Sequence, residues 1–231
     1  MIAEHKKPGL GSGIYSYSEA ARLLNVSTSK VRAWSEGYVR KRGEERVLQR
    51  PVLQGGRESG GFLTFQDLIE LMFVKELRNA GVELATIRAA AQVLSEELQT
   101  PYPFAHERLV TDGAQLLREH GSGYQSVADK QHVFAFVAQF FKDIIFEDRE
   151  AVSWLPMGKD RPVLVDPHRS FGAPIETSRG VRTDVIYSAY EAEDHDAQLV
   201  AEWYDIPLES VQAAVEFEQQ WQRKEIGRAH V

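Results

Sequence analysis

The chain has 231 residues, with 27 Lys and Arg against 34 Asp and Glu, a net charge of −7, 43% hydrophobic residues and no cysteine. That length holds one large domain or two small ones. The missing cysteine excludes disulfides and cysteine-based metal sites, and no segment approaches the roughly 18 apolar residues of a membrane span.

The N-terminal stretch has no apolar run long enough for a signal peptide, so the expected location is the cytoplasm. Residues 1–13 read as a flexible arm broken by Gly9, Gly11 and Gly13. Tyr15–Tyr38 reads as two short helices joined by a tight turn at Asn25-Val26. Ser18 is the expected cap of the first helix, with Ala20, Ala21, Leu23 and Leu24 on its apolar side. Ser27 or Thr28 starts the second, in which Val31 and Trp34 face inward. The outer side then carries Ser27, Thr28, Ser29, Lys30 and Arg32. Short polar and cationic side chains of this kind let a helix enter a major groove and hold phosphates.

A small β-wing is expected next, with Gly43, Gly55-Gly56 and Gly60-Gly61 punctuating the runs Val47-Leu48 and Val52-Leu53. Arg40, Lys41, Arg42, Arg46, Arg50 and Arg57 decorate it, with phosphate oxygens or a minor groove as targets. Tyr38, Arg40, Lys41 and Arg42 are the residues expected to grip the flanking backbone. Thr64 then caps a helix with Phe65, Leu68, Ile69, Met72, Phe73 and Leu77 on a wide apolar face, ended by Gly81. Glu83 opens another helix, which Thr100-Pro101-Tyr102-Pro103 stops. Through Gln66 there are eleven cations against six anions, a net +5, so the remainder carries −12 of the total −7. A basic head on an acidic body suits a protein that touches nucleic acid with one end.

Residues 99–165 read as a mixed α/β middle segment. Its expected parts are two short strands in RLVTDGAQLLRE about Asp112-Gly113, a helix near 131–140, and strands near 142–147, in AVSWLPM and in RPVLVDP. Phe134, Phe140, Phe141, Ile144, Ile145, Phe146, Trp154 and Leu155 are its candidate core. Residues 166–218 hold three further helices in a second helix-turn-helix pattern, followed by a tail over 219–231. Thr183 is the expected cap of the first of these, with Val185, Ile186 and Ala189 inward. The second buries Ala197, Val200, Ala201 and Trp203. Tyr204-Asp205-Ile206 is the turn, and Pro207 opens a third helix bearing Val211, Ala214, Val215 and Phe217. That third helix shows Glu209, Ser210, Gln212 and Glu216, a poor set for phosphate. Arg179 and Arg182, near the start of this second unit, either contact phosphate or cap or pair locally. The fold class is thus α+β and mainly helical: a winged helix-turn-helix, a mixed middle and a three-helix C-terminal domain.

No catalytic constellation stands out. Glu191, Glu193, Asp194, His195 and Asp196 offer metal-ligand atoms but read as a solvated turn, and Asp143, Glu147, Asp148 and Glu150 as a polar hairpin rather than a nuclease site. Neither enzyme activity, metal nor cofactor is expected.

The pattern E-A-A-x-L-L-x-V-S-x-x-x-V-R-x-W, with G-V-x-L-x-x-I-R at 81–88, resembles the MerR superfamily head over residues 14–98. The long dimerising coiled coil of that superfamily has no counterpart here, since no heptad run follows residue 103. P-I-x-x-x-R-G-V-R-T-D-V and V-A-x-W-Y-D-I-P resemble a small bacterial domain of unknown function found in many antitoxins. Joined, the two ends resemble VapB-type antitoxins. The resemblance implies a protein that represses its own promoter and neutralises a small toxin, often a PIN-domain ribonuclease. A symmetric dimer, alone or in a hetero-oligomer with the toxin, would read an inverted repeat of operator DNA. Arg223, Lys224 and Arg228 are the candidate cations for the toxin's acidic active site. Two other readings stay open: an effector-responsive regulator with a pocket in the middle segment, and a protein-interaction adaptor without DNA binding.

Overall fold

The computed structural model describes residues 11–43, 45–54, 61–109 and 141–226. The hairpin expected about Asp112-Gly113, the helix expected near 131–140, Arg57, Phe134, Phe140 and most of the N-terminal arm lie outside the described residues. The chain divides into two compact units. The first runs to Lys142 and takes in Phe146–Ala151; the second is Asp143–Ile145 with Val152–Val231.

The first unit begins with α1 (Tyr17–Leu24) and α2 (Thr28–Glu36). Ser16 caps α1, not Ser18: its hydroxyl accepts from Glu19 N at 3.2 Å while Glu19 Oε2 accepts from Ser16 N at 2.7 Å. A capping box needs its carboxylate three residues after the cap, and Glu19 stands in that register to Ser16 alone. Ala20, Ala21, Leu23 and Leu24 are buried as the pattern predicts. Asn25 closes the helix in the left-handed region at φ 53°, which Asn tolerates better than a bulky residue.

Where the wing is expected, β1 (Tyr38–Arg42) pairs antiparallel with β2 (Glu45–Gln49) in a hairpin. Val52-Leu53, expected as wing strand, is instead a buried loop whose amides donate to Trp34 O at 2.7 and 3.4 Å. Burying two apolar side chains under the end of α2 outweighs a further rung of a two-stranded sheet.

Two long helices complete the head, α3 (Phe65–Asn79) and α4 (Leu84–Leu98). Thr64 and Asp67 form the capping box of α3, and all six apolar residues assigned to its face are buried. So are Asp67, Glu70 and Glu76. Glu70 Oε1 accepts from Phe104 N at 2.5 Å and from Ala105 N at 2.9 Å, pinning the segment after α4 back onto α3. Phe73 packs on Phe104 and Phe141 with ring centroids 6.0 and 4.2 Å apart. Arg108 and Leu109 are helical rather than extended, contrary to the strand expected there.

Burial pushes the Glu70 carboxyl well above its usual 4.5, against the pull of the two amides, and the Asp67 charge adds to the rise. A carboxyl raised by folding stabilises most below its unfolded value and loses that contribution as pH rises through the folded value. Glu70→Gln keeps an acceptor for both amides and removes the ionisation. Its thermal midpoint is therefore expected to exceed that of the parent chain at pH 7–8, the gap closing towards pH 4. A parent chain more stable than the variant at pH 8 would refute this.

The hairpin of β3 (Ile144–Glu147) and β4 (Glu150–Trp154) contributes residues to both units. Ile144 is buried but Ile145 is 41% exposed, because successive strand residues face opposite sides. In the second unit β5 (Val163–Leu164) pairs antiparallel with β6 (Ile175–Glu176). Three helices follow: α5 (Thr183–Ala192), α6 (Ala197–Tyr204) and α7 (Leu208–Ile226). Ile186, Val200, Ala201, Ile206, Val211, Ala214 and Val215 form their common core. Thr183 is not the cap of α5 but its first residue; buried, it donates its hydroxyl to Glu218 Oε1 at 2.5 Å. Val185 and Trp203, assigned inward from sequence, are 41% and 57% exposed. Each stands one step off the stripe set by Ile186 or by Val200 and Ala201. Among the described residues no helix is long and apolar enough to cross a membrane.

Candidate nucleic-acid interface

The first turn of α2 is the exposed end of the head. Ser27 is the cap: its Oγ accepts from Lys30 N at 3.3 Å and lies 3.1 Å from Ser29 Oγ. Val31, Trp34 and Ser35 anchor the helix from within, which leaves Thr28, Ser29, Lys30 and Arg32 exposed. Arg32 is held along the surface. Its guanidinium carbon lies 5.4 Å from the centre of the Tyr17 ring, and its Nε is 3.9 Å from Glu36 Oε2. Tyr17 donates its hydroxyl to Glu36 Oε1 at 2.8 Å. Burial first, and then the Glu36 bond and charge, push the Tyr17 phenol up to about 12, so it stays a neutral donor. A guanidinium stacked on a ring face keeps its N–H edge for phosphate.

The wing register separates side chains that sequence reasoning had grouped. Partner residues across an antiparallel pair share a face and alternate along it. Tyr38 with Gln49 and Arg40 with Val47 lie on one face; Val39 with Leu48 and Lys41 with Arg46 lie on the other. Tyr38 and Arg40 therefore join α2, while Lys41 does not. The side chain of Arg42 lies outside the described residues.

A cleft of about 780 Å³ opens between the first turns of α2, the Tyr38 face of the wing and the corner joining α3 to α4. Lys30, Arg40, Lys75, Arg78 and Arg88 line it, with Glu83 the one acid. Lys75, Arg78 and Arg88 were not singled out from sequence. Each occupies an ordinary polar helix position, and only their convergence marks them. They are partly engaged: Lys75 Nζ lies 2.7 Å from Glu76, Arg78 donates to Val82 O at 2.7 Å, and Arg88 Nε donates to Arg50 O at 2.7 Å. Arg40→Ala is expected to lower the salt slope of promoter binding by about 1, and Lys41→Ala by less. Anisotropy titrations across a salt series check this, and equal losses would undo the assignment of faces.

The helices α5 to α7 have a different surface. Glu202, Asp205, Glu209, Gln212 and Glu216 are exposed, whereas Ser210, assigned to the outer face from sequence, is buried beneath them. Arg179 pairs with Asp205 and Arg182 with Asp184 at 2.5 Å, which is the local-pairing alternative; Arg161 likewise pairs with Glu216. His195 Nε2 lies 3.3 Å from Glu191, and its ring meets Tyr190 edge-on. Among the described residues no three His, Asp or Glu are grouped to hold a metal ion. Arg223 and Lys224 fall on the last turns of α7; their side chains, and all of Arg228, lie outside the described residues.

A capped helix pair, an exposed cationic second helix and a wing sharing its cleft define a DNA-binding helix-turn-helix head. The comparisons agree: residues 13–91 match the family described as "Putative DNA-binding HTH domain". The chain is similar to "Putative antitoxin VapB45" of Mycobacterium tuberculosis, 27% identical over 223 residues, covering 88% of this chain and 92% of that protein. It is also similar to "Uncharacterized protein Rv2308" of the same organism, 23% identical, covering 88% of this chain and 89% of that one. Among solved structures, the crystal structure of Rv2018 from Mycobacterium tuberculosis superposes with a TM-score of 0.68 at 25% identity, covering 87% of this chain and 96% of that chain.

Proposed function

We propose that this protein is the antitoxin of a toxin–antitoxin pair, which binds and neutralises a small toxin and represses its own promoter through its N-terminal head. One observation carries the reading: the similarity to a protein described as an antitoxin runs through 88% of the chain rather than through the helix-turn-helix alone. The basic cleft of the head supports the promoter half. The acidic surface of the second helix-turn-helix favours protein over DNA as the partner of the second unit.

In this reading the head is a MerR-like winged helix-turn-helix, and the protein is of the VapB type. Two copies read an inverted repeat, since two equal heads require two half-sites. The toxin is a PIN-domain ribonuclease, whose carboxylates the cations Arg223, Lys224 and Arg228 approach. The chain itself performs no catalysis and acts in the cytoplasm. Co-expression with the product of the adjacent small reading frame, followed by purification, tests the toxin half. A stable complex that abolishes ribonuclease activity is the expected result; an active toxin that does not co-purify sinks it. Retention of a duplex from the chain's own promoter tests the other half.

A further inference from the structure

We propose that Arg88, on α4, is the positioning residue that sets the wing against the recognition helix α2; the proposal rests on the DNA-binding reading of the head. A two-stranded hairpin is marginal alone, so its angle must be fixed where it joins the body. Two backbone features hold the base of the wing to α2. Gly37, at φ 82°, comes so close to Gln49 that a Cβ there would lie 2.3 Å from Gln49 O. Beyond the wing, Val52 N and Leu53 N both donate to Trp34 O.

Arg50 lies between these ties, one residue past the last rung, Tyr38 with Gln49. Its carbonyl accepts from Arg88 Nε at 2.7 Å, a bond that spans 38 residues of sequence. Arg88 is thus a side chain through which α4 holds the base of the wing. It lines the cleft beside α2, and it also lines a groove of about 660 Å³ beyond, together with Leu48 from the opposite wing face.

The other end of the guanidinium argues for positioning rather than direct contact. Arg88 Nη2 is buried and has no hydrogen-bond partner. A surface cation meant for phosphate would turn its donors outward, whereas Nη2, without exposed surface, has no route to the DNA backbone. Keeping Nε on Arg50 at the expense of Nη2 makes sense when the site's geometry is what matters. Lys30 on α2 and Arg40 on β1 face one cleft, so the wing angle sets the spacing at which they meet successive phosphates.

The test uses the full chain and a duplex from its own promoter, titrated by fluorescence anisotropy over a salt series. Arg88→Met, which keeps the length and removes the donor, is expected to lower affinity about tenfold, with a salt slope reduced by no more than the loss seen in Arg40→Ala, because the displaced wing gives up the Arg40 phosphate contact. In an Arg40→Ala background the same change is expected to add little, because both act through the wing. Wild-type affinity in Arg88→Met overturns the proposal. So does a further slope reduction of about 1 when Arg88→Met is added to Arg40→Ala, which marks a phosphate contact made by Arg88 itself, and so does full additivity of the two affinity losses. Should Arg88→Met fail to fold, Arg88→Gln, too short to reach Arg50 O, is read by the same criteria. A parent chain that does not hold the duplex overturns the DNA-binding reading, and this proposal with it; a parent that binds beside an unaffected Arg88→Met overturns the proposal alone.

Discussion

Replacing Lys30 and Arg32 together by alanine is expected to weaken promoter binding roughly a hundredfold and to flatten its salt dependence by a slope of about 1.8, the release of two counterions. The two residues are the cations of α2, both exposed, on a helix of 9 residues with no acidic residue in its first turn. Neither anchors the helix; Val31 at 0% and Trp34 at 7% exposure do that from the other side. Loss of Arg32 forfeits its contact with the Tyr17 ring, about 0.5–1 kcal/mol for an exposed pair. It also leaves Glu36 bonded to the Tyr17 hydroxyl alone. The thermal midpoint is thus expected to move by only a few degrees while affinity collapses. A folded double variant that binds as the parent does, with the same slope, would remove α2 from the interface.

The largest loss of stability is expected from Glu176→Ala, about 1–3 kcal/mol, the cost of leaving buried donors without their acceptor. Glu176 ends β6 and is 0% exposed. The loop over residues 177–181 folds around its carboxylate. Ser178 N donates at 2.7 Å, Ser178 Oγ, Arg179 N and Gly180 N at 2.6 Å, and Val181 N at 3.2 Å. Gly180, near the end of the loop, sits at φ 78°, a conformation in which an L side chain is strained. Alanine at 176 strands these donors just before α5, in a domain whose total stability is of order 5–15 kcal/mol.

The same site carries a pH signature. Burial pushes the Glu176 carboxyl up, but the Ser178 hydroxyl and the amides of Ser178, Arg179 and Val181 outweigh it and hold the group below its usual 4.5. A carboxyl lowered by folding contributes its full stability above the unfolded value and loses it as pH falls through the folded one. Unfolding of the parent and of Glu176→Ala followed from pH 7 downwards should therefore show a constant gap to about pH 4.5, narrowing below it. A gap that widens in acid would show that the carboxylate is not the anchor of the loop.

Much of the candidate interface was legible because its signals are local. The turn at Asn25-Val26 and the spacing of Val31 and Trp34 act within one or two helical turns. The outward side of α2 follows from them. Where local reasoning failed, two local solutions competed. Ser16 and Ser18 are both capping residues, and only Ser16 has Glu19 in register. Thr183 is a good cap by type, but its hydroxyl went to Glu218, which lies 35 residues away in the chain.

The amino-acid sequence by itself determined the helix pair, the basic head and acidic body, and the side of α2 that meets solvent, since periodicity, capping and charge need no knowledge of distant neighbours. Tertiary structure alone decided which wing residues face α2, because strand register assigns Arg40 and Lys41 to opposite faces. It alone brought Lys75, Arg78 and Arg88 from two other helices to the same cleft. It also gave the Arg50 carbonyl its partner on α4, a contact that exists only once the chain between them has folded.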